Sequence, residues 1–546
     1  MSHSAPSAAA ETGQSMTHRQ ILEALSGLLL AMFVSMVSST VVSNALPTIV
    51  GELHGSPTGY TWIIVATLLT MTATTPIWGK FADLFNNKML VQLALLIFLG
   101  GSLLAGFASD METLIAARAI QGVGVGGLTA LVQVVIAKMV TPRERGRYSG
   151  YIGATFALAT VSGPLIGGLL VDTVGWEWCF WFGVPLSLLA FVVLQKTLKM
   201  EFVKREVKID YVGALLLMAG ISVLLIWVSL AGKSTGFAWV SWTSLWLVAG
   251  SVVLTVLAIV WEGRFASEPV IPLRLFKDRT TSLATAASVM IGVAMFGAVT
   301  YLSQYFQMAR AMTPTHAGLM SIFMVGGLFV SSVVSGRIIT ATGRWKRFLV
   351  SGMVLVVAGL SLLALIDADT NIWLVGGAMT VLGLGLGMTM QNLVLAVQNN
   401  TANADMGAAS SVVAFFRSIG GSVGVAALGA LLSTHVSDYS TEHGPEALAR
   451  ISDPSVAQQV MDMLKAHQIP LPSTLEEMGA GPVAQMMEQA YGSGIGSLFL
   501  VAIPFSLIAL VLVVAIREVP LRTTILREDE LDKVAAETGV AEAVDA

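Results

Sequence analysis

The segment Lys88-Met-Leu-Val-Gln-Leu-Ala-Leu-Leu-Ile-Phe-Leu-Gly-Gly-Ser-Leu-Leu-Ala-Gly-Phe-Ala-Ser-Asp110 holds 21 residues without a charge between two charged ends. At about 1.5 Å of rise per residue, a helix of that length covers about 30 Å, the thickness of a bilayer's hydrocarbon core. Eleven further windows are equally clean: 23–52, 52–80, 147–172, 177–196, 210–233, 233–262, 279–310, 310–337, 347–367, 369–405 and 488–517. Two more, 113–137 and 406–437, are each interrupted once, by Arg118 and by Arg417. Lipid offers the backbone no water to bond, so apolar stretches this long fold there as helices. The expectation is an all-α polytopic membrane protein with 14 transmembrane helices.

Composition agrees. Hydrophobic residues make up 55% of the chain and charged residues 12%, about half the charge of a soluble domain. Mean hydropathy is +0.77. The net charge of −4 gives no basic patch for nucleic acid, and none is expected as a partner. A single cysteine, Cys179, excludes an internal disulfide. Residues 1–20 are polar at first and rich in Ser and Ala. No short apolar segment with a cleavage site separates them from the first helix, so they read as a disordered cytoplasmic tail.

Loop charge sets the expected orientation. Of the 30 Lys and Arg, two (Arg118 and Arg417) fall within helices and four (Lys233, Arg310, Arg450 and Lys465) in alternate gaps. The other 24 lie in the remaining gaps and tails. Basic residues accumulate on the cytoplasmic side, which puts both termini of a multi-pass cell-membrane protein in the cytoplasm. The expected organisation is a tail at 1–20, a six-helix bundle at 21–196 and a linker with extra helices 7 and 8 at 197–263. A second six-helix bundle follows at 264–517, with an outer loop at 438–490, and a cytoplasmic tail at 518–546. The outer loop reads as a helical stretch around 446–467, Pro470 and Pro472, and a second run near 475–489. The last tail reads as disordered beyond a helix pattern at 528–536.

The two halves echo each other. After helix 2 the chain reads Gly79-Lys-Phe-Ala-Asp83-Leu-Phe-Asn-Asn-Lys88, and after helix 10 Gly336-Arg-Ile-Ile-Thr-Ala-Thr-Gly343-Arg-Trp-Lys-Arg347. Each puts a Gly at a helix end, then a short amphipathic turn, then cations entering the next helix. Helices 1–6 and 9–14 therefore read as parallel repeats able to rock about a central site.

Six motifs now converge. Gly79-Lys-Phe-Ala-Asp83 through Lys88 resembles the cytoplasmic loop signature of the major facilitator superfamily, and Arg118-Ala-Ile-Gln121-Gly122 is similar to its helix 4 motif. Gly163-Pro164-Leu-Ile-Gly167-Gly168 is similar to the exporter motif of helix 5. Asn44-Ala-Leu-Pro47-Thr, Glu262 with Pro269-Val-Ile-Pro272-Leu-Arg-Leu-Phe276, and Arg417-Ser-Ile-Gly-Gly421 also fit. Spanning about residues 21–517, the chain resembles the 14-helix drug:proton antiporters of that superfamily. The resemblance implies the major-facilitator fold of two six-helix bundles plus two extra central helices. It also implies a secondary transporter with no catalytic residue, metal or cofactor beyond the proton gradient, and Arg118, Gln121 and Arg417 as candidate coupling residues.

Each motif has a physical reading. Asp83 can accept from the N-terminal end of a neighbouring helix or pair with a nearby cation, latching the cytoplasmic face; alternatively Gly79 and Asp83 only form a tight turn. Pro164 removes a backbone donor and bends helix 5, while Gly163, Gly167 and Gly168 allow close packing against the opposite half. Arg118 and Arg417 each cost about 3 kcal/mol or more in lipid unless paired or solvated, which points to a cavity or a partner.

One departure matters. Aligned on Ala45-Leu46-Pro47, the place of the family's helix 1 aspartate is Ser38, and no other acid falls near mid-membrane. The cavity is expected to be neutral to positive, with Ser38, Thr40, Asn44, Tyr301, Gln304, Gln307, Gln391 and Asn392 as candidate lining residues. For each of these an inter-helix hydrogen bond is the competing reading.

Other patterns carry no chemistry. Gly122-Val-Gly124-Val-Gly-Gly127 has dinucleotide spacing but lies in an apolar helix with no strand before it. Gly232-Lys233-Ser234 lacks the earlier Gly of a phosphate loop, since Trp227 stands there. The seven histidines fall in tails or near helix ends, so no metal site is expected. The reading is a proton-driven exporter of amphipathic small molecules, acting as a monomer by alternating access. A lipid or specific-metabolite exporter of the same fold is the alternative. A nutrient uptake symporter is disfavoured by the helix 5 motif, and a membrane enzyme by the lack of a nucleophile–base pair.

Overall fold

The computed structural model describes residues 18–53, 57–198, 210–232, 236–402, 405–465 and 472–522. The expected tails before residue 18 and after 522, the 528–536 helix pattern and loop residues 199–209 lie outside them. Among the described residues the only non-helical pairing is a single bridge between Ala231 and Phe237.

Fourteen helices among the described residues are long and apolar enough to cross a membrane. They are α1 (His18–Glu52), α2 (Pro57–Leu84), α3 (Asn87–Gly106), α4 (Met111–Met139), α5 (Pro142–Thr173) and α6 (Trp178–Thr197). Next come α7 (Tyr211–Leu230), α8 (Trp242–Arg264), α9 (Arg279–Gln304), α10 (Ile322–Thr342) and α11 (Lys346–Leu363). The series closes with α12 (Ile372–Asn400), α13 (Met406–Ala449) and α14 (Gly481–Ala515). The protein is a multi-pass, all-helical membrane protein.

The polar residues bounding the apolar windows start these helices. Asp110, Asp210 and Asp278 accept from the backbone N–H of Thr113, Gly213 and Thr281, each at 2.8 Å. Thr141 caps α5, which has Pro142 in its first turn. Such caps satisfy donors that a helix end leaves orphaned. At the far end of α10, Gly343 adopts φ +74°, a left-handed stop that L side chains resist.

Buried residues form one large core between Leu275 and Leu521 and two smaller ones between Ile21 and Leu198. A fourth core joins α7 and α8 to α2 and α13 through Leu217, Ile221, Ala258, Val270, Ile271, Val412 and Phe415. The Gly122–Gly127 run is a packing device: Gly122 and Gly126 press against α2, and Gly124 and Gly127 against α3. Side-chain-free positions let the backbones approach closely.

The outer loop departs from expectation. The helix through Arg417 continues unbroken to Ala449, so residues 438–449 prolong the membrane helix rather than opening a separate loop. His435 consequently lies inside a helix rather than near its end, while His443 is within about two turns of the end at Ala449. The extension is held by α14: His435 meets Ser493 at 3.1 Å and Tyr439 donates to Gln489 at 3.1 Å. Short helices Pro454–Lys465 and Pro472–Glu477 follow, and α14 already begins at Gly481.

Candidate transport site

At the face where α1 begins, here called the basic face, the two halves are tied together. Asp83 ends α2, and its side chain is 1% exposed. Its two carboxylate oxygens accept from the backbone N–H of Gly407 at 2.8 Å and Ala408 at 2.9 Å. Those amides open α13, where orphan donors and the helix dipole both favour an anion. Lys138 of α4 lies 3.5 Å from the same carboxylate and donates to the Ala82 carbonyl. Gly79 is required for the approach, because a Cβ there would overlap the Ser411 side chain and crowd the Gly407 carbonyl. Lys88 sits outside this knot, donating to the Gln195 carbonyl of α6 at 2.7 Å.

The quasi-symmetric seam, α5 against α10, is tied by the opposite polarity. Arg143 donates to the carbonyls of Thr340 at 3.1 Å and Ala341 at 3.2 Å, which end α10. A cation at a helix C-terminus complements that end of the dipole. Thr340 stands where the first half has Asp83, so the two latches use a carboxylate on a helix start and a guanidinium on a helix end. Its neighbour Arg145 is buried and donates to Gln398 of α12 at 3.1 Å, and Gln398 donates to Ser410 of α13 at 2.8 Å. The void left among Gln133, Arg145, Gln391 and Gln398 measures about 20 Å³, room for about one water. The basic face is closed.

A strap crosses the same face. Glu262, at the end of α8, accepts from the N–H of Val270 at 3.2 Å and Ile271 at 3.4 Å, folding the α8–α9 connection back on itself. From this fold Glu268 pairs with Lys80 of α2, and Arg274 pairs in bidentate fashion with Asp405 at 2.8 and 3.0 Å. That pairing holds the Arg274 guanidinium above its ordinary value. Lys80 and Asp405 flank the Asp83 latch on its two sides.

Deeper in the first half, a polar chain runs through the apolar interior. Arg118 is 4% exposed and donates to the Gln121 side-chain carbonyl, while its Nε has no partner among the described residues. Gln121 in turn donates to Ser38 of α1 at 2.9 Å and Ser102 of α3 at 2.8 Å. Thr67 and Thr70 of α2 bond the carbonyls of Arg118 and Ala119 at 3.1 and 2.8 Å. Ser38 thus stands in the Arg118 network, where an aspartate would have faced the cation through Gln121. Arg417 of α13 is also buried, and no described carboxylate pairs with it.

The remaining candidates divide. Tyr301 donates to the Val425 carbonyl and Asn392 to the Met388 carbonyl, so both are tied inside the second half. Thr40, Gln304, Gln307 and Gln391 are half-buried, with Thr40 reaching the Ala159 carbonyl of α5 and Gln307 bonding Ser303. Gly163 meets Thr40, and Gly167 meets Val41, so the helix 5 glycines pack against α1 within their own half and not, as expected, against the opposite half. Gly168 is half-buried in the same stretch. The side chains of Asn44 and Pro164 lie outside the described residues. Sequence reasoning did not reach Ser102, Lys138, Arg143, Gln398 or the receiving amides of Gly407 and Ala408. Only contact across the fold reveals them.

A family model for the Major Facilitator Superfamily matches residues 28–425. The chain belongs to the major facilitator superfamily. The multidrug transporter protein MdtP of Bacillus subtilis is 33% identical over 418 residues, which is 77% of this chain and 76% of MdtP. Efflux pump FUS6 of Gibberella fujikuroi is 29% identical over 501 residues, covering 90% of this chain and 88% of that one. The crystal structure of the human organic anion transporter MFSD10 superposes with a TM-score of 0.56 at 12% identity, covering 89% of this chain and 99% of that one. That last likeness concerns the fold alone. The protein is therefore a transporter of this superfamily, similar to its multidrug-efflux members.

Proposed function

We propose that this transporter exports amphipathic small molecules across the cell membrane by alternating access, driven by the proton gradient. The basic face would be cytoplasmic, with both termini there. The observation that carries the reading is the Asp83 carboxylate capping α13 from the opposite half. A gate made of one buried charge on two amides is bistable, since it is either fully bonded or broken. Rocking of the halves about a central cavity needs such an element. The outward direction rests on the efflux names of the relatives and on the helix 5 motif.

Neutral or anionic amphiphiles fit the interior best. A buried Arg118 bonded to a neutral Gln121, and an Arg417 with no described carboxylate partner, repel an organic cation by a few kcal/mol in low dielectric. With Ser38 in place of an acid, the proton would be carried at a helix end, by Glu112 or Asp172, or by the substrate itself. Glu112 is exposed in the first turn of α4, and the Asp172 side chain lies outside the described residues. The chain would work as a monomer.

The test is growth of a pump-deficient bacterial host expressing the chain on a panel of cationic, neutral and anionic toxicants. Protection confined to neutral and anionic compounds supports the reading. Protection against quaternary ammonium compounds alone would overturn the charge preference, and protection against none of the panel would overturn multidrug export.

A further inference from the structure

We infer that the seam between α5 and α10 at the basic face is a binding site for the headgroup of an anionic phospholipid. A cleft of about 320 Å³ opens there, lined by Arg147, Gly150, Tyr151, Val333 and Arg337. Both arginines are exposed, and neither bonds to another described residue. Two unpaired guanidinium groups in one cleft select an anion, and their planar donor forks suit phosphate oxygens.

Position decides which anion. Arg147 lies five residues inside the start of α5 and Arg337 five residues before the end of α10, about 7–8 Å from either helix end. That is headgroup depth, and Tyr151, one turn further in, sits where an amphipathic ring anchors at the interface. Beyond the cleft the same faces turn apolar and exposed. On α5, Leu158 is 64% exposed and Leu165 and Leu169 continue the stripe; on α10, Val330 is 51% exposed. From Arg147 the α5 stripe runs at helical spacing through 151, 158, 165 and 169. The cleft therefore faces the surrounding bilayer, with charge above and room for acyl chains below. Basic pockets between membrane helices on the positive side are suited to anionic headgroups.

The site also spans the moving parts. Arg147 belongs to the first half and Arg337 to the second, and the seam between them is closed by Gly150 against Val333 and Gly153 against Ser332. A phosphate bridging both arginines is bound only while the basic face is shut. Such a ligand shifts the population toward the closed state by its differential affinity. Anionic lipid thus acts as a regulator of the gate, separate from the substrate and from the Asp83 latch.

The test uses the purified full-length chain, with lipid retention followed by native mass spectrometry. The probes are phosphatidylglycerol, phosphatidylcholine and inorganic phosphate. Phosphatidylglycerol should be preferred over phosphatidylcholine. R147Q and R337Q should each weaken its retention about fivefold, and the double variant about 25-fold. R147K/R337K should retain most of it. All these positions are exposed, so the variants keep their packing. Spin labels at Asn86 and Ala402, across the gate, should report closure on adding phosphatidylglycerol to the wild type but not to the double glutamine variant. Equal retention by wild type and double variant, no preference over phosphatidylcholine, or displacement by inorganic phosphate would each overturn the assignment. Phosphatidylglycerol that binds without closing the gate would overturn its regulatory part.

Discussion

Replacing Asp83 by Asn tests the latch while keeping its shape. The carboxylate receives two amide hydrogen bonds at 2.8 and 2.9 Å and a lysine ammonium at 3.5 Å, at a site 1% exposed. An asparagine carbonyl can keep one of these amides, but its NH2 group faces the other, donor against donor. A hydrogen bond to a charged group contributes about 1.5–3 kcal/mol. Losing one such bond together with the attraction to Lys138 weakens the closed state by about 3 kcal/mol. That shifts the ratio of closed to open basic face by a factor on the order of 100. Spin labels at Asn86 and Ala402, on the α2–α3 and α12–α13 turns, read this ratio as a distance distribution. The expected result is a longer distance in Asp83→Asn, severe loss of transport, and normal insertion and expression. An unchanged distance distribution with wild-type transport would reduce Asp83 to a turn residue and refute the gate.

Other expectations follow from the same contacts. Gly79→Ala should favour the open basic face by about 1–3 kcal/mol, because the new methyl overlaps Ser411; the same label pair reads it. Glu268→Gln with Arg274→Gln should loosen the strap and shift the gate by about two- to 30-fold, the range of two partly exposed ion pairs at about 0.2–1 kcal/mol each. A shift as large as that of Asp83→Asn would instead make the strap the principal latch. Ser38→Asp puts a carboxylate one glutamine away from Arg118 and should move the resistance profile toward cations; an unchanged profile would remove Ser38 from the charge argument. With Cys179→Ala as background, Ser455→Cys should label with an impermeant reagent in intact cells and Ser267→Cys should not. The reverse pattern would invert the orientation.

The helical frame was legible because desolvating a charge is costly enough to write itself into composition: each long uncharged window corresponds to one of α1–α14. The gate was half legible. Asp83 at a helix end calls for an amide or cation partner, and it has both, yet the amides lie 324 and 325 residues away, where no local pattern signals them. Arg118 and Gln121 stand out as polar groups in an apolar helix, but Ser102 does not, because a serine in a membrane helix usually bonds its own backbone. The reach of α13 to Ala449 was hidden for a different reason. Polarity rises after about residue 437, which marks where lipid ends rather than where the helix does, and contacts with α14 sustain the remainder. The Arg143 latch escaped notice because its partners are backbone carbonyls, which every residue has.

Proton-driven export is tested most directly with purified protein in liposomes, basic face outward, loaded with buffer more acidic than the medium. A fluorescent neutral or anionic amphiphile that is protected in the host panel should accumulate inside above its level in protein-free liposomes. A protonophore should abolish that accumulation, and Asp83→Asn should nearly do so. Accumulation of the same size without a proton gradient, or undiminished by the protonophore, would contradict the account.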